Sequence, residues 1–313
     1  MTSPYDVVTL GEVLIEVSTL EPFGHDVPAT MAVSGDVLNV AAAAAAAGAR
    51  VGLLAVLPDD ELGQAIAARV QALGIATDLL QFRQGQQGVY LMHSDPTGER
   101  EFAYARSGSV GSSLGLDDLP VEAIESAGAV VASGIACAVS PTTREAVRTA
   151  ARRARRFVYD PNFRPRLTTA QDAAETLRDL APYGWLVTPS HPGETATLLD
   201  AGSAAEAAYG LRDLGIQNVA VTCGGAGVQL NGPDVDAWVD AVPAPSVVDQ
   251  TGAGDAYVGT LTARLVLGDD LLWAARQAAA AAALVVGGRG GTGYVPTLDE
   301  TRAHLASVDR AAR

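Results

Sequence analysis

The stretch Val247-Val248-Asp249-Gln250-Thr251-Gly252-Ala253-Gly254-Asp255-Ala256-Tyr257 carries the most specific pattern in the chain. An apolar run ends in a carboxylate, a glycine-rich turn follows, and a second carboxylate opens a helix predicted over residues 255–267. The small residues 252–254 allow backbone N–H groups to converge on an anion, and the helix start adds partial positive charge. The helix dipole would hold Asp255 ionised, ready to accept a proton from a hydroxyl group. The pattern predicts a phosphoryl-transfer site that needs no lysine; the alternative is a tight loop before a helix.

Composition narrows the classes of protein to consider. The 313 residues are 48% hydrophobic with a net charge of −15, which suits one large globular domain and disfavours nucleic acid or a membrane surface as partner. All 21 basic residues are Arg, so Schiff-base, Walker-A and protein-kinase lysine chemistry is excluded. Cys137 and Cys223 lie in apolar stretches, where we expect buried thiols in a reducing compartment. With no visible targeting peptide and no apolar run of roughly 18 residues, a cytoplasmic location is expected.

Strand and helix signals alternate along the chain. The first part gives a strand at 7–10, a helix at 36–47, a strand at 51–56 and a helix ending near Gly74. This order is typical of a parallel sheet covered by helices. Further strands are predicted at residues 130–134, 157–160, 186–189 and 219–222.

Residues 86–107 interrupt this alternation with a predicted hairpin. Strands at 89–92 and 101–106 flank a turn that contains Asp-Pro-Thr-Gly at 95–98. Together with the β-rich residues 12–34, the hairpin could form a small β layer over one end of the main sheet. We therefore expect one domain over residues 1–313, with these two segments as a lid.

Two signatures in this chain resemble those of the ribokinase-like (PfkB) carbohydrate kinases. Residues 249–255 are similar to the C-terminal signature Asp-Thr-x-Gly-Ala-Gly-Asp, with Gln250 in place of Thr or Ser. Residues 34–41 resemble the N-terminal sugar signature, and residues 221–227 resemble the Thr-x-Gly-x-x-Gly turn on the nucleotide side. The resemblance implies a three-layer α/β/α ribokinase-like fold with a mainly parallel central sheet and a small β-sheet lid.

The resemblance also implies ATP-dependent transfer of a phosphoryl group to a sugar hydroxyl. Asp255 would be the base, and the backbone of Gly252, Ala253 and Gly254 would form the anion hole. The lid would close to exclude water, and two copies would form a homodimer through it. The implied ATP-binding residues are Thr222, Gly224, Gly227, Gly252 and Gly254.

Sugar recognition is predicted at Gly35, Asp36 and Asn39. Asp36 and Asn39 lie three positions apart at a helix start, so their side chains share one face. A carboxylate beside an amide suits vicinal hydroxyls. The alternative is that Asp36 caps the helix and Asn39 lies on the surface.

Two further segments are similar to 2-keto-3-deoxygluconate kinases. Residues 100–109 resemble their Tyr-x-Arg-x-Gly-Ser-Ala segment, and residues 160–164 resemble their Asp-x-Asn-x-Arg segment. A sugar acid needs a cation for its carboxylate, and Arg offers a bidentate fork. The candidates for this role and for neighbouring contacts are Tyr90, Tyr104, Arg106 and Arg164. The alternatives are that the tyrosines only pack the lid, that Arg106 is solvated, and that Arg164 faces phosphate.

Bound metal ions are implied only by the resemblance to the family. Glu194 is the best match to the family's Glu that acts on Mg²⁺ through water, although His191 stands where the family has Asn. The four histidines do not have metal-binding spacing. A monovalent cation, K⁺, is implied beside the anion hole at Asp249, Thr251, Val285, Gly288 and Gly290.

The sequence therefore favours a kinase for a sugar acid, with 2-keto-3-deoxygluconate as the first candidate. A fructokinase or a ribokinase-type enzyme is the alternative within the same class. A catalytically silent sugar-binding protein is disfavoured because it would have no use for Asp255 as a base. A nucleotide-dependent oxidoreductase would need Gly-x-Gly-x-x-Gly after an early strand, which the chain lacks.

Overall fold

A computed structural model describes residues 4–94 and 100–311 of the chain. These residues form an eight-stranded sheet, a four-stranded sheet and a separate pair of strands. The strands are β1 (Val7–Leu10), β2 (Leu14–Thr19), β3 (Thr30–Ser34), β4 (Val51–Leu54), β5 (Val56–Pro58), β6 (Gln81–Arg83), β7 (Val89–Ser94), β8 (Arg100–Ala105), β9 (Ala129–Ser133), β10 (Phe157–Asp160), β11 (Gly184–Val187), β12 (Asn218–Thr222), β13 (Gly227–Gly232) and β14 (Val235–Asp240). The helices are α1 (Asp36–Ala46), α2 (Glu61–Ala72), α3 (Val121–Ser126), α4 (Gly134–Val139), α5 (Pro141–Arg153), α6 (Ala170–Leu180), α7 (Gly193–Leu199), α8 (Ala204–Asp213), α9 (Ala253–Val266), α10 (Leu271–Val285) and α11 (Leu298–Ala311).

The central sheet has the strand order β14-β13-β12-β11-β10-β9-β1-β4. Strands β12 to β4 in this order pair in parallel, and β13 and β14 extend the sheet in the antiparallel sense. Neighbouring residues of one strand, such as Val7 and Val8, enter different hydrophobic cores. Helices therefore cover both faces, which explains why these strands are continuous apolar runs. The expected three-layer, mainly parallel fold is confirmed.

The second sheet has the order β3-β2-β7-β8, and its strands come from the two segments predicted to leave the main sheet. Strand β2 pairs in parallel with β7, so that Glu16 lies beside Tyr90, and Tyr90 lies opposite Tyr104 on β8. The predicted turn at residues 95–98 falls outside the described residues. We call this four-stranded sheet the lid.

Several local predictions were wrong. The single strand expected at 51–56 is two strands, since the chain leaves the central sheet after Leu54 and β5 pairs with β6. The antiparallel strands β13 and β14 at the end of the central sheet were not predicted. Cys137 is buried as expected, but Cys223 is only half-buried.

In the parts of the chain that the structure describes, no helix has the length and apolarity to cross a membrane.

Close packing of α1 against α9 brings two distant parts of the sequence together. A Cβ atom at Gly259 of α9 would lie 2.2 Å from the backbone carbonyl oxygen of Val40. Because Gly259 has no side chain and α1 is rich in alanine, the two backbones approach closely. This contact places Asn39 of α1 beside Asp255 of α9.

Candidate active site

A cavity of about 1040 Å³ is lined by residues of the lid and by residues that follow the carboxyl ends of the central strands. This is the edge at which ligands bind in open parallel sheets. The cavity brings together many of the side chains singled out in the sequence. The predicted residues that line it are Gly35, Asp36, Asn39, Tyr90, Tyr104, Arg106, Arg164, Glu194, Thr222, Thr251, Gly252, Gly254 and Asp255.

The glycine-rich turn presents backbone amides to this cavity. Helix α9 begins at Ala253, two residues earlier than predicted, and Gly252 precedes it with a left-handed φ of 83°. Among the described residues, the amides of Gly252 and Gly254 donate to no protein acceptor. The Ala253 amide differs from the prediction, because it donates to the carbonyl oxygen of Gln250 at 3.3 Å and Ala253 does not line the cavity. Two amides of the predicted three are therefore available to an anion.

Asp255 has an environment that the sequence did not reveal. Burial and then the charge of Asp36 raise the pKa of Asp255 from 3.8 to about 7. A hydrogen bond from Asn39 and the charge of Arg164 oppose this rise. The expectation that the helix dipole keeps Asp255 ionised was therefore wrong near neutral pH, since burial outweighs the dipole. A carboxylate with a pKa near 7 suits a general base.

The start of α1 forms one wall of the cavity. Gly35 has a φ of 127°, and a Cβ atom there would lie 2.7 Å from the carbonyl oxygen of Glu12. The carboxylate of Asp36 accepts a hydrogen bond from the Ser133 hydroxyl and does not cap the helix. Asn39 is buried, its Nδ2 donates to Asp255, and its Oδ1 has no partner among the described residues. The alternative of a surface Asn39 is excluded.

The inner face of the lid carries aromatic side chains. The Tyr90 hydroxyl donates to the buried carboxylate of Glu16 and lies 3.1 Å from the Ser34 hydroxyl. The rings of Phe102 and Tyr104 stack with centroids 6.1 Å apart. Because the Tyr90 hydroxyl donates its hydrogen to Glu16, its oxygen can only accept a hydrogen bond from a ligand.

Three arginines line the cavity and differ in their partners. Arg106 is not solvated, because its guanidinium forms a buried ion pair with Glu12. Arg164 donates through Nη1 to the carbonyl oxygen of Phe163 and forms no ion pair within the described ranges. Arg166, which sequence reasoning missed, donates to the Phe102 carbonyl of the lid. The sequence signal for Arg166 was its position two residues after Arg164, because residues so close in a loop lie near each other.

The chain matches the model of the pfkB family of carbohydrate kinases over residues 5–298. It belongs to this family. The 2-dehydro-3-deoxygluconokinase of Thermoproteus tenax is 34% identical over 96% of this chain and 94% of that relative. The 2-dehydro-3-deoxygalactonokinase of Haloferax volcanii is 29% identical over 89% of this chain and 90% of that relative. A PfkB protein from Polaromonas sp. JS666 superposes with a TM-score of 0.85 at 26% identity, covering 96% of this chain and 99% of that one.

The protein is thus a sugar kinase, and two further carboxylates, Asp160 and Glu194, line its cavity. The carboxylate of Glu194 accepts from the Phe163 amide at 2.5 Å and from the amide and hydroxyl of Ser190 at 2.7 and 2.9 Å. Asp160, which begins the segment 160–164 but was given no role in the sequence analysis, accepts from the Asn162 amide at 3.3 Å and lines the cavity. Burial and the nearby charge of Glu194 raise the pKa of Asp160 well above its ordinary value. Hard oxygen donors of this kind fit Mg²⁺.

The predicted nucleotide-side residues of this kinase are only partly at the cavity. Thr222 lines it, whereas Gly224 and Gly227 do not. A Cβ atom at Gly227 would lie 2.3 Å from the carbonyl oxygen of Val239, so pairing of β13 with β14 requires this glycine. Gly224 has a left-handed φ of 55° with open space around it. Gly224 is thus an exposed turn residue with an accessible backbone.

Of the residues implied for K⁺, only Thr251 lines the cavity. One oxygen of Asp249 accepts from the amide and the hydroxyl of Thr251 at 2.9 and 2.8 Å, and the other accepts from the Gly290 amide at 2.9 Å. The carbonyl of Val285 accepts from the Gly288 amide. Asp249 therefore ties the anion turn to the loop after α10. No metal-binding group of three or more His, Cys, Asp or Glu residues occurs within the described chain.

Proposed function

We propose that this kinase phosphorylates a 2-keto-3-deoxy sugar acid, with 2-keto-3-deoxygluconate as the first candidate, at the expense of ATP. The observation that carries the proposal is Arg164, a cavity cation without an ion-pair partner among the described residues. A sugar acid supplies the carboxylate that a guanidinium fork binds best. The two relatives compared above are named for substrates of this class.

The chemistry follows from Asp255 and the turn before it. The ionised carboxylate accepts the proton of the sugar hydroxyl, and the hydroxyl oxygen attacks the γ-phosphorus of ATP. The bond from this phosphorus to the β–γ bridging oxygen breaks, and ADP leaves. The amides of Gly252 and Gly254 stabilise the charge on the transferred group.

The remaining cavity residues divide between the two substrates. Asp36, Asn39 and the Gly35 backbone face the sugar hydroxyls, and Tyr90, Tyr104 and Arg106 contact the sugar from the lid. Thr222 and the backbone of Gly224 lie on the nucleotide side. Use of ATP and two cysteines without a disulfide support a cytoplasmic location for this kinase.

Metal ions complete the proposal. Asp160 and Glu194 would hold Mg²⁺ through water, and the ion would supply charge neutralisation for the phosphates. K⁺ would lie near Asp249, which joins the anion turn to the loop after α10. Replacement of K⁺ by Na⁺ at constant ionic strength is expected to lower kcat; an unchanged kcat would remove K⁺ from the proposal.

The outer face of the lid supports a homodimer. Met31, 67% exposed, lies beside Val17, and Leu91, 37% exposed, lies on the other side of Val17. This apolar row would be covered by the lid of a second copy. We expect Met31→Glu to yield a monomer in sedimentation velocity, whereas Leu116→Glu, at an exposed leucine outside the lid, should not; a wild-type monomer would contradict the dimer.

A substrate panel tests the function directly. ADP release should be measured with 2-keto-3-deoxygluconate, 2-keto-3-deoxygalactonate, fructose and ribose, with Asp255→Asn as the control for background ATP hydrolysis. The expected result is the highest kcat/KM for a 2-keto-3-deoxy acid. Preference for fructose or ribose would favour a neutral-sugar kinase. Sugar binding without ADP release would favour the silent sugar-binding alternative.

A further inference from the structure

We infer that Glu12 is a positioning residue for substrate selection: it clamps Arg106 so that one edge of the guanidinium is directed to the sugar acid. The inference rests on the proposed function, because it names the group that orients one of its substrate contacts. Glu12 does not line the cavity, whereas Arg106 does. Glu12 therefore acts through Arg106 and not on the substrate itself.

The clamp is a one-sided contact. One carboxylate oxygen of Glu12, Oε2, accepts from Nε of Arg106 at 2.9 Å and also from Nη2. The other oxygen, Oε1, accepts from the Ser109 hydroxyl at 2.5 Å. Within the described chain, Nη1 of Arg106 has no hydrogen-bond partner. The guanidinium is thus held by one edge and keeps the donors of Nη1 for a ligand.

Burial makes this arrangement specific. The side chain of Glu12 is 0% exposed and that of Arg106 is 9% exposed. A buried carboxylate is costly unless it is paired and hydrogen-bonded, so Glu12 strongly favours the one Arg106 conformation that pairs with it. Arg106 follows directly after β8, so the clamp also ties the end of a lid strand to the segment after β1.

Two glycines make room for Glu12. A Cβ atom at Gly88 would lie 2.7 Å from Oε1 of Glu12, and one at Gly111 would lie 2.5 Å from its Cγ. Both segments, one before β7 and one after β8, thus leave space for this carboxylate. Rotation of Glu12 within this space is restricted, and the direction of Arg106 is restricted with it.

Charge compensation has a consequence for specificity. Glu12 neutralises Arg106, so Arg106 offers oriented donors with little net charge. Arg164, which lacks a carboxylate partner among the described residues, offers the net charge. Selection of a sugar acid then depends on two contributions: the positive charge of Arg164 attracts the carboxylate, and the fixed N–H donors of Arg106 orient the sugar.

The test compares Glu12→Gln with Ser109→Ala, which removes a hydrogen bond from the other oxygen of the same carboxylate and leaves both the Arg106 guanidinium contacts and the backbone bond from the Ser109 amide to the Arg106 carbonyl in place. Glu12→Gln is expected to raise KM for the sugar acid about tenfold and to change KM for ATP by less than about twofold. Ser109→Ala should leave both KM values within about twofold. In an Arg106→Met background, Glu12→Gln should have no further effect on KM, and it should restore stability by removing an unpaired buried charge.

A second readout is independent of turnover. The Nε–Hε NMR signal of Arg106, assigned by its loss in Arg106→Met, should be protected from exchange in the unaltered kinase and lose protection in Glu12→Gln. An unchanged KM for the sugar acid in folded Glu12→Gln, or an equal rise in the Arg106→Met background, would overturn the inference. Failure of the unaltered kinase to use any sugar acid would instead overturn the proposed function.

Discussion

The Nδ2 of Asn39 donates a hydrogen bond to Oδ2 of Asp255 over 2.8 Å, although the two residues are 216 positions apart in the chain. The bond connects the first turn of α1, which carries the predicted sugar signature, to the first turn of α9, which carries the base. Because hydrogen bonding favours the charged carboxylate, Asn39 helps to set the pH at which Asp255 becomes active.

Removal of this bond should shift the pH dependence of the reaction. Asp255 has a pKa of about 7, so kcat/KM of the unaltered kinase should fall as the pH drops below about 7. Asn39→Ala removes an interaction that lowers this pKa, so the midpoint should move upward by about 0.5–1 pH unit. Profiles of kcat/KM between pH 5.5 and 9 measure the shift. A midpoint that stays in place would show that Asn39 does not tune the base.

Asp255→Asn should exchange activity for stability. Loss of the base is expected to lower kcat by about 10²–10⁴-fold. The folded-state pKa of Asp255 is raised from 3.8 to about 7, so ionisation costs stability as the pH rises through this window. The substitution should therefore stabilise the fold at pH 8 by ~1–2 kcal/mol, less than the full shift implies because the carboxylate is partly open to the cavity. Urea unfolding at pH 8 and pH 4 tests this; equal gains at both would contradict it.

Gly291→Ala should affect the base from a distance. A Cβ atom at Gly291 would lie 2.2 Å from Nδ2 of Asn39, so the amide must turn away from Asp255. The Cβ atom would also lie 2.4 Å from Oδ1 and 2.5 Å from Cγ of the buried Asn39, so the whole side chain must move; the fold should lose about 1–3 kcal/mol of stability while the acid limb shifts as in Asn39→Ala. Gly210→Ala, where a Cβ atom would meet nothing within 4 Å, is the matched control. A normal pH profile in Gly291→Ala would count against the coupling.

Arg164→Ala should separate charged from neutral substrates. Loss of this cavity cation is expected to raise KM for a sugar acid about tenfold or more and to leave KM for ATP within about twofold. Arg153→Ala, which removes an exposed arginine paired with Glu125, controls for the change in net charge. An equal effect on a neutral sugar would indicate a general packing role for Arg164.

The alternation of strands and helices was readable because each central strand is a short apolar run bounded by polar or small residues. The antiparallel strands β13 and β14 were missed, although the residues of β14 alternate in exposure, with Trp238 exposed and Val239 buried. A search for period-two patterns, rather than apolar runs, would have found it. The lid was predictable because its hairpin breaks the α/β rhythm.

Many of the predicted site residues line one cavity, but the sequence did not give their pairings. Glu12 and Arg106 are 94 positions apart, and nothing local in either segment signals the ion pair. The pKa of Asp255 depends on burial and on Asp36, which come together only through packing of α1 on α9. Asp160 carried a weak signal, a carboxylate at the end of a parallel strand.

The lid strands β7 and β8 and the anion turn belong to separate stretches of the chain, one ending before residue 107 and the other starting after residue 246. A graft of the β7–β8 hairpin from a relative with another preference should therefore exchange the lid's contribution to sugar preference without rebuilding the phosphate chemistry, while the contribution of Arg164 stays with this chain. The graft has one constraint, since Glu12 lies outside the hairpin yet fills the space that Gly88 leaves open. A chimaera should therefore exchange residue 12 along with the hairpin, or its incoming arginine will lack a matched carboxylate.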